Sequence, residues 1–259
     1  MLAPQAGGGM EEATNDKRVR TIILAAGKGT RMRSDLAKVL HPVCGKPMLQ
    51  YSIVLARAIG SERIIPVVGH QAERIRETFR DPDLFFVEQT RPLGTGHAVL
   101  QAREAIRGYT GRVVILCGDV PCLRSETVQE LLRRHRKTGA CVTVLTVVLD
   151  DPGGYGRIVK TPDGRVRRIV EARDAAAEEL RLREINTGVY CVEGPFLFDA
   201  VAEIGNDNAQ REYYLTDIVE IAFRKGCPVE AFAVPDPAEV MGVNTRDDLA
   251  RACRIMAGR

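Results

Sequence analysis

The sequence predicts an α/β fold: a Rossmann-like, mostly parallel mixed sheet with helices on both faces, making three layers. Three observations carry this. Apolar runs of strand length alternate with helical stretches through the first half of the chain. A glycine-rich turn, "LAAGKGTRM" (Leu24–Met32), follows directly on the first strand. The second half changes to hairpin spacing, which adds antiparallel strands to the parallel set.

The elements follow in order. The first strand ends at Leu24, after Thr21, Ile22 and Ile23. A helix runs from about Pro47 ("PMLQYSIVLARAIG"), with Gly60 as its stop. "RIIPVV" reads as a strand, "QAERIRETF" as a helix and "LFFVEQ" as a strand. Gly94 to Gly108 reads as a helix, "RVVILCGD" as a strand, Ser125 to Lys137 as a helix and Cys141 to Leu149 as a buried strand. "RIVKTPDGRVRRIV" (Arg157–Val170) is two alternating runs around Pro162, Asp163 and Gly164, a hairpin. "INTGVYCVEG" adds a strand, Pro195–Ala202 and Thr216–Arg224 add helices, "VEAFAV" adds a strand, and the last helix starts near Thr245. No repeat and no linker interrupts this, so residues 20–259 read as one domain. Its nucleotide-binding half covers about 20–150 and its substrate-binding half about 151–259. Residues 1–19 read as a disordered arm, rich in Gly, Ala and polar residues and without the apolar stretch of a signal peptide.

Composition narrows the function classes. Apolar residues make up 45% and charged residues 27%, enough for both a core and a solvated surface. A net charge of +3 is too small to argue for nucleic acid or a membrane surface. No apolar run approaches spanning length. Seven cysteines, odd in number and without a CxxC pair, read as free, mostly buried thiols in a reducing compartment. With four scattered histidines, they do not suggest a zinc site.

The glycine turn excludes two common phosphate loops. The dinucleotide motif GxGxxG fails at its third glycine, where Met32 stands, and no acidic ribose partner follows near Val43–Gln50. The ATPase loop GxxxxGK, followed by Ser or Thr, is absent. What remains is Gly27 and Gly29, whose backbone N–H groups can approach phosphate oxygens, then Thr30, Arg31 and Lys38. A guanidinium fork and a mobile ammonium suit several phosphate charges, including those on a leaving pyrophosphate. The same residues also fit a tight turn flanked by solvated basic side chains. Asp119 ends a predicted strand, where a carboxylate is a natural Mg2+ ligand or merely a loop cap. In "LGTGHA", Gly94 and Thr95 can face a nucleotide, or can simply begin a helix.

"LAAGKGTRMRSDLAKVLHPVCGKPML" resembles the signature of bacterial sugar nucleotidyltransferases, the uridylyltransferase (pyrophosphorylase) domain of the GlmU family. The resemblance continues in order through "LGTGHA", "GDVP", "DDPGGYGRIV", "RRIVEARDA", "EINTGVY", "EYYLTD" and "GVNTR", covering about residues 20 to 257. It implies a three-layer nucleotidyltransferase fold and a cytoplasmic enzyme of peptidoglycan precursor synthesis. The implied reaction joins UTP and N-acetyl-α-D-glucosamine-1-phosphate into UDP-N-acetylglucosamine and pyrophosphate. Arg31 and Lys38 would hold the phosphates, and Asp119 and Asn244 would hold Mg2+. The backbone of Leu24, Ala25, Ala26 and Gly27 would face the nucleotide, with Gly94, Thr95, Gly118 and Asn244, and Gln89 would read uracil. Gly156, Glu171 and Asn186 would surround the sugar phosphate. His97 is expected to be structural, and Tyr213 and Tyr214 to pack.

Three departures from the signature matter. Ala37 replaces the usual proline before Lys38 and is expected to loosen that loop. Cys117 replaces a tyrosine before the Gly-Asp pair, and Ala172 replaces a longer polar residue after Glu171. The chain reaches Arg259 without hexapeptide repeats, so no acetyltransferase activity and a monomeric state are expected of it. Two other readings compete: a sugar-1-phosphate nucleotidyltransferase with another sugar or base, and a nucleotide-sugar sensor without turnover.

Overall fold

The computed structural model describes residues 18–259, so the predicted arm lies, but for its last two residues, outside the described residues. At the centre of the sheet is β1 (Val19–Ala25), which pairs in parallel with β4 (Arg63–Val68) and β6 (Arg112–Cys117). Parallel pairing continues from β4 to β5 (Val87–Glu88). On the other side, β10 (Glu184–Glu193) runs antiparallel between β6 and β7 (Val142–Val148), and β11 (Val229–Ala233) lies parallel to β7. The order is β11-β7-β10-β6-β1-β4-β5. The predicted hairpin, β8 (Arg157–Lys160) and β9 (Val166–Val170), hangs from β10 where Ile185 meets Arg157.

Successive strand residues point to opposite faces, and each face has its own core. Ile23, Val114 and Leu116 share one core with Leu49 and Ile53 of α1 (Met48–Ala58), Ile75 of α2 (Ala72–Thr78) and Leu131 of α4 (Ser125–Thr138). Their neighbours Ile22, Val113 and Ile115 share the other with Val99 of α3 (Thr95–Gln101), Leu197 of α5 (Gly194–Glu203) and Ile218 of α6 (Asp217–Arg224). This is the predicted three-layer, mostly parallel mixed arrangement. A satellite core joins a short hairpin, β2 (Pro42–Val43) and β3 (Lys46–Pro47), to α7 (Arg246–Ala257) through Val43, Cys122 and Ala252.

Two elements are shorter than the sequence predicts. The helix expected over Gly94–Gly108 stops at Gln101, where Ala102 and Arg103 donate to carbonyls three residues back instead of four. A 3-10 turn, Glu104–Ile106, follows. The strand expected over "LFFVEQ" shrinks to β5, which lies at the sheet edge with β4 as its only neighbour among the described residues. The exposed ring of Phe85 is instead covered by the guanidinium of Arg63 at 4.0 Å. The carboxyl ends of β1, β4, β5 and β6 share one edge, where ligands of such sheets bind.

Candidate active site

The glycine turn leaves β1 at this edge. A side chain at Gly29 (φ +64) would meet Lys38 Cβ at 2.6 Å, so glycine there lets Lys38 tuck beneath the loop. Lys38 is 9% exposed. Its Nζ donates to Asp119 Oδ2 at 2.5 Å and to Asn244 Oδ1 at 2.6 Å. Arg31, exposed on a 3-10 turn, donates to the same Asn244 oxygen at 2.8 Å. Asp119 follows β6, and its carbonyl accepts the Val243 N–H at 2.9 Å, which docks the Asn244 segment beside it. Asn244 stands just before α7, whose start is fixed by a capping box between Thr245 and Asp248. Four predicted residues from three distant stretches therefore form one cluster.

The expected loosening before Lys38 is not what the structure shows. Ala37 is buried with φ −51°, close to the angle a proline ring imposes, and its N–H donates to Gln71 Oε1 at 2.9 Å. Gln71 Nε2 in turn donates to the Asp35 carbonyl at 2.7 Å. The loop is held from outside by a side chain, where proline would hold it from within.

Beside the cluster lies a cavity of about 300 Å3, walled by Leu24–Gly27, Lys38, Gln89, Gly94, Thr95 and Asp119. Gly118 ties β6 to β1 behind it: its N–H donates to the Leu24 carbonyl, and an added Cβ would come within 3.1 Å of that oxygen. Cys117 also faces the cavity, and burial pushes its thiol up to about 12, so it stays neutral. Gln89 Nε2 donates to the Gly94 carbonyl at 3.0 Å and lies 3.0 Å from His97 Nδ1. Burial, aided by Arg91, lowers the His97 pKa, so the imidazole is neutral and can accept. Both amide hydrogens of Gln89 are then engaged, and Oε1 is the group left for a ligand. His97, read from sequence as structural, thus orients Gln89. Thr95 Oγ1 accepts the Leu215 N–H at 2.9 Å, which leaves its hydroxyl hydrogen free to donate.

Gly156, Glu171 and Asn186 come together on the β8–β10 side. The Asn186 N–H donates to the Gly156 carbonyl, and a Cβ on Gly156 would lie 3.5 Å from both Glu171 carboxyl oxygens. Asn186 Oδ1 is used locally by the Gly188 N–H, and its side chain also hydrogen-bonds the buried Tyr190 hydroxyl. Glu171 accepts from Thr216 Oγ1 at 3.1 Å, and burial raises its pKa. Glu171 also walls a polar cavity of about 360 Å3 with Asp174, Tyr214 and Asp217. Tyr214 is buried and donates to Asp174 Oδ2 at 3.2 Å, while the Tyr213 ring is partly buried against the second core, 6.5 Å from the His97 ring.

Burial, with Glu220, Glu171 and Asp174 nearby, pushes the Asp217 carboxyl up to about 6. Between its unfolded value of 3.8 and about 6, the folded protein binds more protons than the unfolded chain, so this group's contribution to stability falls as pH rises through that window. Asp217→Asn is expected to raise the melting temperature at pH 7.5, and to lose that advantage on acidification below pH 4. Thermal unfolding across this range checks it; an Asn variant less stable at pH 7.5 contradicts it.

Some contributors were missed in the sequence. Gln71 and His97 act through side-chain contacts that no local spacing announces. Arg33 and Arg246 line a further opening of about 420 Å3 with Arg31 and Asp247. The alternating basic pair in "TRMR" was the available signal for Arg33.

Comparison with known proteins identifies the family and the fold. The family described as the MobA-like NTP transferase domain matches residues 21–187. The chain is 56% identical over 239 residues to the bifunctional protein GlmU of Geobacter metallireducens, covering 92% of this chain and 50% of that protein. It is 54% identical over 234 residues to the same protein of Geobacter sulfurreducens, covering 90% and 49%. To that of Geobacillus thermodenitrificans it is 48% identical over 238 residues, covering 92% and 52%. The chain spans about half the length of the curated relatives it matches. A crystal structure of UDP-glucose pyrophosphorylase complexed with UDP-glucose shares the fold, with a TM-score of 0.76 at 17% identity, covering 93% of this chain and 99% of that one.

Proposed function

The chain belongs to the family of MobA-like NTP transferase domains, and on that premise we propose that it is a UDP-N-acetylglucosamine diphosphorylase. It transfers UMP from UTP to N-acetyl-α-D-glucosamine-1-phosphate and releases pyrophosphate. The single observation that carries this is the convergence of Arg31, Lys38, Asp119 and Asn244 at the mouth of the cavity walled by Leu24–Gly27 and Gln89. A binding-only sensor has no need to gather a leaving-group cluster. Half-length identity to GlmU proteins favours N-acetylglucosamine-1-phosphate over other sugar phosphates.

The donor set fits a divalent cation. One carboxylate oxygen and one carboxamide oxygen already converge on a single cation, the Lys38 ammonium. Among the described residues no group of three or more His, Cys, Asp or Glu side chains is gathered for a metal. That suits Mg2+, which is held by few protein oxygens and completes its shell with water and phosphate. Asp119 and Asn244 would hold it, and it would neutralise triphosphate charge.

The chemistry asks little of the protein beyond position and charge. A phosphate oxygen of the sugar phosphate attacks the α-phosphorus of UTP in line. A bond forms there as the bond to the β-phosphate oxygen breaks, and the electron pair leaves with pyrophosphate. Arg31 and Lys38 meet that growing charge, with the N–H groups of the glycine turn behind them. Glu171 and Asn186 would meet the sugar hydroxyls. The attacking group belongs to the substrate, so no enzyme nucleophile is needed. A cytoplasmic setting and a place in peptidoglycan precursor synthesis follow from this reading. Among the described residues no helix is long and apolar enough to cross a membrane.

Base choice follows from the pinned carboxamide. Gln89 Oε1 can accept from uracil N3–H, whereas cytosine offers an acceptor at N3 and leaves Oε1 unpaired, a cost of about 1–3 kcal/mol. Gln89→Ala is expected to lower kcat/KM for UTP more than for CTP. His97→Phe, which removes the acceptor that orients Gln89, should narrow the same ratio in the same direction. Equal losses with both nucleotides would reduce Gln89 to a packing residue. Pyrophosphate release from UTP and N-acetylglucosamine-1-phosphate tests the reaction itself, and tight nucleotide binding with no release would favour the sensor.

A further inference from the structure

The odd set of free thiols contains one pair placed for chemistry. Cys44 sits at the exposed tip of the β2–β3 hairpin, and Cys253 lies on α7. Cys44 (φ +47) and Gly45 (φ +81) are the two left-handed residues of a tight hairpin turn. A non-glycine residue there is disfavoured by Cβ contacts, so the tip needs outside support. It comes from Cys253: the Cys44 N–H donates to Cys253 Sγ at 2.9 Å, and Cys44 Sγ lies 3.8 Å from the Cys253 carbonyl oxygen. The neighbouring Cys253 side chain raises the Cys44 pKa, which lowers its thiolate fraction. With covalent reach added to the 2.9 Å contact, the Cα atoms stand at most about 7 Å apart, at the upper edge of the span a disulfide bridges.

We propose that Cys44 and Cys253 are an oxidative modification site, a dithiol that a two-electron oxidant of the peroxide class closes to a disulfide. Cys44 sulfur, the solvent-facing one, attacks a peroxide oxygen; the O–O bond breaks and water leaves, giving a sulfenic acid. Cys253 sulfur then attacks Cys44 sulfur, the S–O bond breaks, and a second water leaves. Two thiols and one hydrogen peroxide give one disulfide and two waters. The bond joins the segment that follows Lys38 to the helix that follows Asn244, the two stretches that meet at the candidate active site.

Other thiols are placed less well for this step. Cys122 is buried nearby, with its thiol donating to the Ala252 carbonyl at 3.9 Å. Cys141 and Cys227 are both half-buried, and burial pushes the Cys141 thiol up to about 11; Cys44, though also raised by its neighbour, is the exposed thiol that an oxidant can reach.

The test uses the whole chain, reduced, freed of reductant and treated with stoichiometric hydrogen peroxide at pH 8. Non-reducing tryptic mapping should join the peptide of residues 39–57 to that of residues 252–254, with two of the seven thiols lost to Ellman titration. Dithiothreitol should restore both thiols, and the oxidised protein should melt at a higher temperature. Cys44→Ser and Cys253→Ser should both fold under reducing conditions, Cys253→Ser with a slightly lower melting temperature because it loses the sulfur that accepts the Cys44 N–H, and each should abolish that cross-link. Retention of all seven thiols, or a cross-link between another pair in place of this one, overturns the proposal.

Discussion

Asp119→Ala is expected to lower kcat/KM by about two to three decades, equivalent to about 3–4 kcal/mol of transition-state stabilisation. The carboxylate would do two things at once. It holds the Lys38 ammonium at 2.5 Å, and on the proposed reading it would, with Asn244, offer hard oxygens to a divalent cation. Removal leaves a nearly buried lysine without its carboxylate partner, so part of the loss would come from a displaced Lys38. Asp119→Asn separates the two. It keeps the shape and one oxygen but drops the charge, and it should raise the Mg2+ concentration needed for half-maximal rate. Near-normal turnover by a folded Asp119→Ala protein, judged by its thermal transition, would sink the metal assignment.

Arg31→Ala is expected to lower kcat by about two decades while KM for UTP changes several-fold less. The guanidinium is exposed, and one of its nitrogens is committed to Asn244. On the proposed reaction, its other donors would meet a ligand whose charge is largest as pyrophosphate departs. An interaction strengthened in the transition state appears in kcat, and one shared equally by the bound substrate appears in KM alone. Steady-state kinetics with saturating sugar phosphate separates these. A KM effect with kcat unchanged refutes the role. Arg31→Lys should recover little, because a point charge does not reproduce the planar fork.

Legibility in the sequence differed between parts of the molecule. Strand–helix alternation announced the sheet because each parallel strand needs a crossover, and Asp119 was recognisable because it ends an apolar run. The glycine turn excluded two phosphate loops but left a solvated basic turn open until the wider resemblance was considered. Asn244 carries no local signal. It becomes a partner of Asp119 only because the Val243 N–H reaches the Asp119 carbonyl across half the chain. The hold on Ala37 by Gln71 was equally hidden, since a missing proline reads locally as lost rigidity and the compensation is tertiary. Nothing in the sequence fixes which way the Gln89 carboxamide points; the Gly94 carbonyl and the His97 ring do. Cys44 and Cys253 showed only as members of an odd set, because their meeting depends on α7 folding back over the β2–β3 hairpin.

On the proposed function, one cluster with a pinned Gln89 beside it makes a particular nucleotide sugar. The most direct test is a one-pot competition, with product masses read by mass spectrometry. UTP and CTP compete for N-acetylglucosamine-1-phosphate and glucose-1-phosphate, with Mg2+ present. UDP-N-acetylglucosamine should dominate, matched mole for mole by pyrophosphate. A dominant product carrying the other base or the other sugar, or no nucleotide sugar at all, would contradict the account.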